Sequence, residues 1–159
     1  MKIAVANDHR GVKSCEHIKT ILTQMGHTCL DFCSYTDQPT DYPDAAYLAA
    51  GAVAGGQADR AILVCGTGIG MCIAANKIKG IRAALCFDEL AAKVSREHND
   101  ANVLCLSGDL LGSSMLQKIV QTWLTAEFLA GRHLRRIRKI QAIEEGKDPR
   151  SVSNSEQNG

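Results

Sequence analysis

The sequence predicts an α/β fold, a three-layer α-β-α sandwich around a five-stranded parallel sheet. Two observations predict it. Five short apolar runs recur along the 159 residues, each followed by a stretch whose apolar residues fall at helical spacing. The length suits one domain with a sizeable core. Strands that alternate with helices in such a domain pair in parallel and carry helices on both faces.

Residues 2–6 form the first strand, a β-branched run that ends at Asn7-Asp8-His9-Arg10-Gly11. In the helix that follows, Cys15, Ile18, Leu22 and Met25 share a face and Gly26 is the stop. Residues 28–32 make a second strand. A polar loop through Asp37, Pro39 and Pro43 then leads into an alanine-rich helix that ends near Gly55-Gly56. Residues 61–64 are the third strand and 70–78 its helix. The fourth pair spans 81–86 and 88–98. Residues 103–106 are the fifth strand, followed by helices over 115–129 and 132–144. The expected domain is Rossmann-like and covers 1–145. The polar stretch 146–159 is expected to lack regular structure.

Composition removes several classes of function. The formal net charge is +1 and aromatic residues make up 4% of the chain, so neither a basic field nor stacking platforms point to nucleic acid. No apolar run approaches membrane-spanning length and no secretory signal opens the chain. The cysteines, Cys15, Cys29, Cys33, Cys65, Cys72, Cys86 and Cys105, are odd in number, lack a Cys-x-x-Cys and sit mostly in apolar runs. That pattern predicts reduced, largely buried thiols in a cytoplasmic protein, not a disulfide or zinc framework.

The most informative stretch follows the third strand: Cys65-Gly66-Thr67-Gly68-Ile69-Gly70-Met71. A glycine-rich turn lets backbone amides approach an oxygen closely, and a helix start adds unpaired N–H groups. The same surroundings favour the thiolate of a cysteine placed there, which makes Cys65 a candidate base or nucleophile. The dinucleotide fingerprint does not fit, because the glycines alternate and the turn follows the third strand instead of the first. A P-loop fails as well, since no Gly-Lys-Ser/Thr follows. A tight turn beside an inert cysteine explains one or two glycines, but three alternating ones beside Thr67 poorly.

In open parallel sheets ligands bind beyond the carboxyl ends of the strands. Asp8, His9, Cys65, Gly66, Thr67 and Ser107 follow strands, Thr40-Asp41-Tyr42 lies in the second connection, and His98-Asn99 closes the fourth helix. These groups are expected to converge at one edge of the sheet. Arg132 and Arg136 are four apart on the last helix, so two guanidiniums there face one way. Leu134, Ile137, Ile140 and Ile143 give the same helix an apolar stripe for a partner to cover.

Six ordered pieces carry a resemblance. They are Asn7-Asp8-His9-Arg10-Gly11, Thr40-Asp41-Tyr42-Pro43, Cys65-Gly66-Thr67-Gly68-Ile69-Gly70, Ile73-Ala74-Ala75-Asn76-Lys77, the run from Arg96 to Asn102, and Gly131-Arg132-His133. Together they make the chain resemble the type B ribose-5-phosphate isomerases, to which galactose-6-phosphate isomerase subunits are similar. The resemblance implies interconversion of D-ribose 5-phosphate and D-ribulose 5-phosphate, a step of the non-oxidative pentose phosphate pathway, with no metal or other cofactor. It implies that Cys65 moves the carbon-bound proton and that Thr67 with the amides of Gly66, Gly68, Ile69 and Gly70 forms the oxyanion site. His98 would open the sugar ring, Asp8, Tyr42 and Asn99 would hold the sugar, and His9, Arg132 and Arg136 would grip the phosphate. Another branch of the family uses a glutamate where Met71 stands, so this chain falls with the cysteine-dependent branch. Many members carry an arginine where this chain has Asp109, which removes one implied phosphate contact. The resemblance further implies homodimers with shared sites, in some members paired into tetramers.

Two other classes fit part of the pattern. A phosphate-binding regulatory module explains the glycine loop and the arginines but leaves Cys65 without a task. A flavodoxin-like redox protein explains the fold and thiols, yet the chain offers few aromatic residues to flank a flavin. His17, His27 and His133 receive no assignment.

Overall fold

A computed structural model of the chain describes residues 1–36 and 38–152. Its elements run β1 (Lys2–Asn7), α1 (Val12–Gln24), β2 (Thr28–Asp31), α2 (Tyr42–Ala54), β3 (Arg60–Cys65), α3 (Ile69–Ala75), β4 (Ala83–Leu85), α4 (Glu89–Asn99), β5 (Val103–Ser107), α5 (Ser113–Thr125) and α6 (Arg132–Glu144). The strands form one sheet in the order β2-β1-β3-β5-β4, every pair parallel. The three-layer α/β sandwich expected from the sequence is therefore the fold observed.

Alternation along the central strands builds two cores. Ile3, Val5, Ile62, Val64, Leu104 and Leu106 face one way and meet Ile18, Leu22, Leu116, Ile119 and Trp123 from α1 and α5. Ala4, Ala6, Ala61, Leu63 and Cys105 face the other way and meet Ala46, Ala49 and Ala50 of α2 and Met71 of α3. Alanine on both sides lets α2 lie close to the sheet. β1, β3 and β5 are neighbours, so their carboxyl ends bring Asn7, Cys65 and Ser107 side by side.

Several boundaries move for local reasons. α3 stops at Ala75 because the Asn76 side chain turns the chain, donating to Cys72 O and Ala83 O and accepting from Ala83 N. That exchange leaves β4 only three residues long. α5 ends at Thr125, four residues early, and the extended connection ties back through Leu129 N to Glu97 O at the end of α4. Pro149–Ser151 forms a 3-10 turn capped by Asp148, which corrects the expectation of no regular structure beyond Gly146. The rest of that expected tail, 153–159, and loop residue Asp37 lie outside the described residues.

The cysteine reading is corrected at one pair. Cys15 on α1 and Cys33 just past β2 are joined as a disulfide, with Cα atoms 6.9 Å apart. The buried face of α1 and the outgoing end of β2 meet there, a proximity that sequence spacing does not disclose. Cys29, Cys65, Cys72, Cys86 and Cys105 are free thiols.

Candidate active site

Cys65 ends β3 and is 4% exposed, at the floor of the turn toward α3. The Gly68 amide donates to its Sγ at 3.1 Å. Thr67 is exposed, and its Oγ1 accepts from Ile69 N at 3.3 Å. The amides of Thr67 and Gly70 carry no hydrogen bond among the described residues, and neither residue is buried. Gly68 sits at φ +78°, and a Cβ there would meet Leu85 Cδ1 at 2.6 Å and Leu106 O at 2.9 Å. Ser107, fully buried, donates to Gly66 O and accepts from Leu110 N, pinning the turn from beneath.

The β1 turn supplies the next wall. Asp8 is buried, with Oδ1 accepting from Arg10 N at 2.9 Å. His9 and Thr40 bond twice: His9 N donates to Thr40 Oγ1 at 3.1 Å, and Thr40 N donates to His9 Nδ1 at 3.2 Å. With Nδ1 accepting from an amide, the donor this ring offers to the site is Nε2–H. Tyr42 opens α2 and lays its ring against Gly70. Asp8, His9, Tyr42 and the Cys65 turn thus converge at the carboxyl ends of the strands, as expected.

His98, Asn99, Arg132 and Arg136 do not. α4 returns the chain from the carboxyl end of β4 to the amino end of β5, so its last residues lie at the opposite edge of the sheet. Hydrogen bonds fix them there. Arg82, just before β4, donates to Asn99 O and Asp100 O, and Asn102 O accepts from Ala61 N at the start of β3. Asp100, the left-handed cap of α4, forms ion pairs with Arg82 at 2.9 Å and Arg96 at 2.8 Å. α6 joins this end through a ring stack between His98 and His133. Arg132, Arg136 and Asn99 are exposed around that stack. The expected convergence on one edge is thereby corrected: the parallel topology splits the assigned residues into two clusters at opposite ends of one chain.

Residues 3–140 match the profile of the family described as Ribose/Galactose Isomerase. The chain belongs to that family. It is 43% identical over 144 residues to ribose-5-phosphate isomerase B of Escherichia coli, covering 91% of this chain and 97% of the relative. It is 41% identical over 142 residues to D-erythrulose-4-phosphate isomerase of Pectobacterium atrosepticum, covering 88% and 93%. The structure of ribose-5-phosphate isomerase B from Clostridium thermocellum superposes with a TM-score of 0.90 at 45% identity, covering 92% of this chain and 99% of that one.

Two features of this ribose/galactose isomerase family member escaped the sequence reading. His133 is 5% exposed and stacked on His98, although it received no role. Its signal was membership of the Gly131-Arg132-His133 piece. Burial lowers its pKa below the usual histidine value, with further lowering from His98, Arg132 and Arg136. Asp109 forms an ion pair with Arg10 at 2.7 Å beside Gly66, a pairing invisible across 99 positions. The thiols around the site also differ from one another. A hydrogen bond with Cys105 leads the effects that bring Cys72 down to about 7, while burial pushes Cys86 up to about 11 and Cys105 well above the ordinary range. Among the described residues, no helix is long and apolar enough to cross a membrane.

Proposed function

We propose that the protein interconverts D-ribose 5-phosphate and D-ribulose 5-phosphate, with Cys65 as the base, in sites shared by two copies of the chain. One observation carries the reading: the Cys65 thiol lies in a glycine turn whose Gly68 amide bonds its sulfur and whose Thr67 and Gly70 amides have no partner among the described residues. In this reading Cys65 is the base and those amides form the oxyanion site, all within one turn.

The balanced reaction moves two protons. The Cys65 thiolate takes the proton from C2 of the open-chain aldose, and the charge passes to the carbonyl oxygen as an enediolate. The open amides stabilise that oxygen. Cys65 returns its proton to C1, and the O2 hydroxyl proton passes to O1, giving the ketose. In this reading Asp8 Oδ2 and the Tyr42 hydroxyl hold sugar hydroxyls. His9 Nε2–H is a donor suited to a phosphate oxygen.

The second cluster completes this site only from another copy. A two-fold pair gives each copy the same contacts, so the His98 and Arg132/Arg136 end of one chain would close over the Cys65 end of its partner, twice. The apolar stripe of α6 supports a covered face, with Ile140 and Ile143 still exposed, the latter at 61%. In this arrangement His98 donates to the ring oxygen during opening and the two arginines hold the phosphate.

The test is ketose formation from ribose 5-phosphate by pure protein with a chelator present. D-erythrulose 4-phosphate, run alongside, separates the five-carbon reading from the activity named for the Pectobacterium relative. Turnover of ribose 5-phosphate at a higher kcat/KM supports the proposal. Turnover of the four-carbon sugar alone refutes it.

A further inference from the structure

The Arg10–Asp109 pair has no task in the scheme above. Arg10 follows β1, and its amide is fixed on Asp8 Oδ1. Its guanidinium places Nε at 2.8 Å and Nη2 at 2.7 Å from Asp109 Oδ2. The Cβ position of Gly66 lies 3.0 Å from that Nε and 3.1 Å from Cδ, so the side chain crosses the residue directly after Cys65.

Two of the five guanidinium N–H groups are committed to the carboxylate. The Nη1 edge has no partner among the described residues, and the side chain is 56% exposed. A guanidinium clamped along one edge and open along the other suits bidentate capture of a phosphate. The clamp also holds the side chain over Gly66. Asp109 alone would place a bare negative charge at the rim of a site for an anionic substrate, and the pair cancels it. Beside it lies an open hollow of about 420 Å³, lined by His9, Arg10, Lys13, Ser14, Tyr35 and Gly108. His9 Nε2–H and the Lys13 ammonium add donors on this same chain.

We infer that Arg10, clamped by Asp109, is a phosphate ligand of the substrate site, and that the Cys65 end of each chain carries its own cation for binding phosphate. This rests on the proposed isomerase reading for the identity of the substrate, but phosphate binding itself is readable without turnover.

The experiment is calorimetric titration of Cys65→Ala protein, which cannot consume substrate, with inorganic phosphate, ribose 5-phosphate and unphosphorylated ribose. The same titrations are made with Arg10→Ala and Asp109→Ala added singly, and Arg10→Gln replaces the alanine variant if that fails to fold. Losing a charged hydrogen-bonding partner should weaken inorganic phosphate and ribose 5-phosphate by about tenfold or more in the Arg10 variant. Asp109→Ala breaks the same ion pair but keeps the guanidinium, so affinity should stay within about threefold. Equal losses in the two variants would make the pair a structural rim contact and overturn the inference. So would undetectable phosphate binding by the parent, or an Arg10 effect that extends to unphosphorylated ribose. If instead phosphate binding depends on Arg10 but the unmutated protein forms no ketose, the isomerase reading fails and the phosphate site stands.

Discussion

The imidazole of His98 lies face to face with that of His133, ring centroids 4.1 Å apart and planes 7° from parallel. Burial, then His98, Arg132 and Arg136, act against a charge on His133. The stack fixes the orientation of His98 from a neighbouring helix and favours a neutral His133.

A pH dependence follows from the lowered pKa of His133. The unfolded chain takes up this proton near the ordinary value of 6.5, while the folded chain does so only at lower pH. The contribution to stability is therefore full above about 6.5 and is lost as pH falls toward the folded value. Urea midpoints at pH 7.5 and 5.5 should drop less on acidification in His133→Leu than in the parent. An identical drop would refute this.

His98 should matter most for the cyclic substrate. His98→Asn should lower initial rates with ribose 5-phosphate by about a hundredfold, the lower end for a positioned acid, and with ribulose 5-phosphate far less. The ketose has no free hydroxyl with which to close a furanose ring. Equal losses, corrected for the equilibrium constant, would leave His98 a purely structural role.

Alkylation should discriminate among the thiols. Cys72, half-buried and brought down to about 7, should react with iodoacetamide near neutral pH well before Cys86 at about 11 or the buried Cys105. Peptide mapping by mass spectrometry reads this directly, and Cys86 labelled ahead of Cys72 would contradict it. Because two thiols compete, inactivation should be measured in Cys72→Ser protein, where substrate should slow labelling of Cys65. Cys65→Ala should fold and bind substrate yet lose about a hundred- to ten-thousand-fold in turnover.

The turn should not tolerate a methyl group at residue 68. Gly68→Ala must hold a left-handed backbone and displace the Leu106 carbonyl, which costs on the order of 1–3 kcal/mol from the backbone alone. Thermal unfolding should shift down by several degrees and activity should fall. A variant with unchanged stability would contradict the geometry.

The layered architecture was legible because each strand is a short apolar run followed by apolar residues at helical spacing, and the first two helices end at glycines. The span of α6 was read in full, from Arg132 after Gly131 to Glu144 before Gly146. Boundaries set by distant partners were not: Asn76 reaches Ala83 to shorten α3, and Glu97 draws Leu129 out of α5. The Cys65 turn was readable because glycine spacing reports local backbone needs. The split of the site was implicit in the topology, since a helix joining parallel strands must end where the next strand begins. Grouping His98 and Asn99, which close the fourth helix, with the residues that follow strands hid it. His133 and the Arg10–Asp109 pair depend on contacts across 35 and 99 positions, which a pattern along the chain does not encode.

The central claim is that Cys65 and the Arg132/Arg136 pair act on one substrate from two chains. Mixing inactive Cys65→Ala protein with inactive Arg132→Ala/Arg136→Ala protein, under conditions that exchange subunits, tests it most directly. Each heterodimer would hold one site with both lesions and one with neither, so random exchange of equal amounts should restore about a quarter of the parent activity. Mass measurement confirms that heterodimers have formed. If they form and no activity returns, each site is built within its own chain and the shared-site account is wrong.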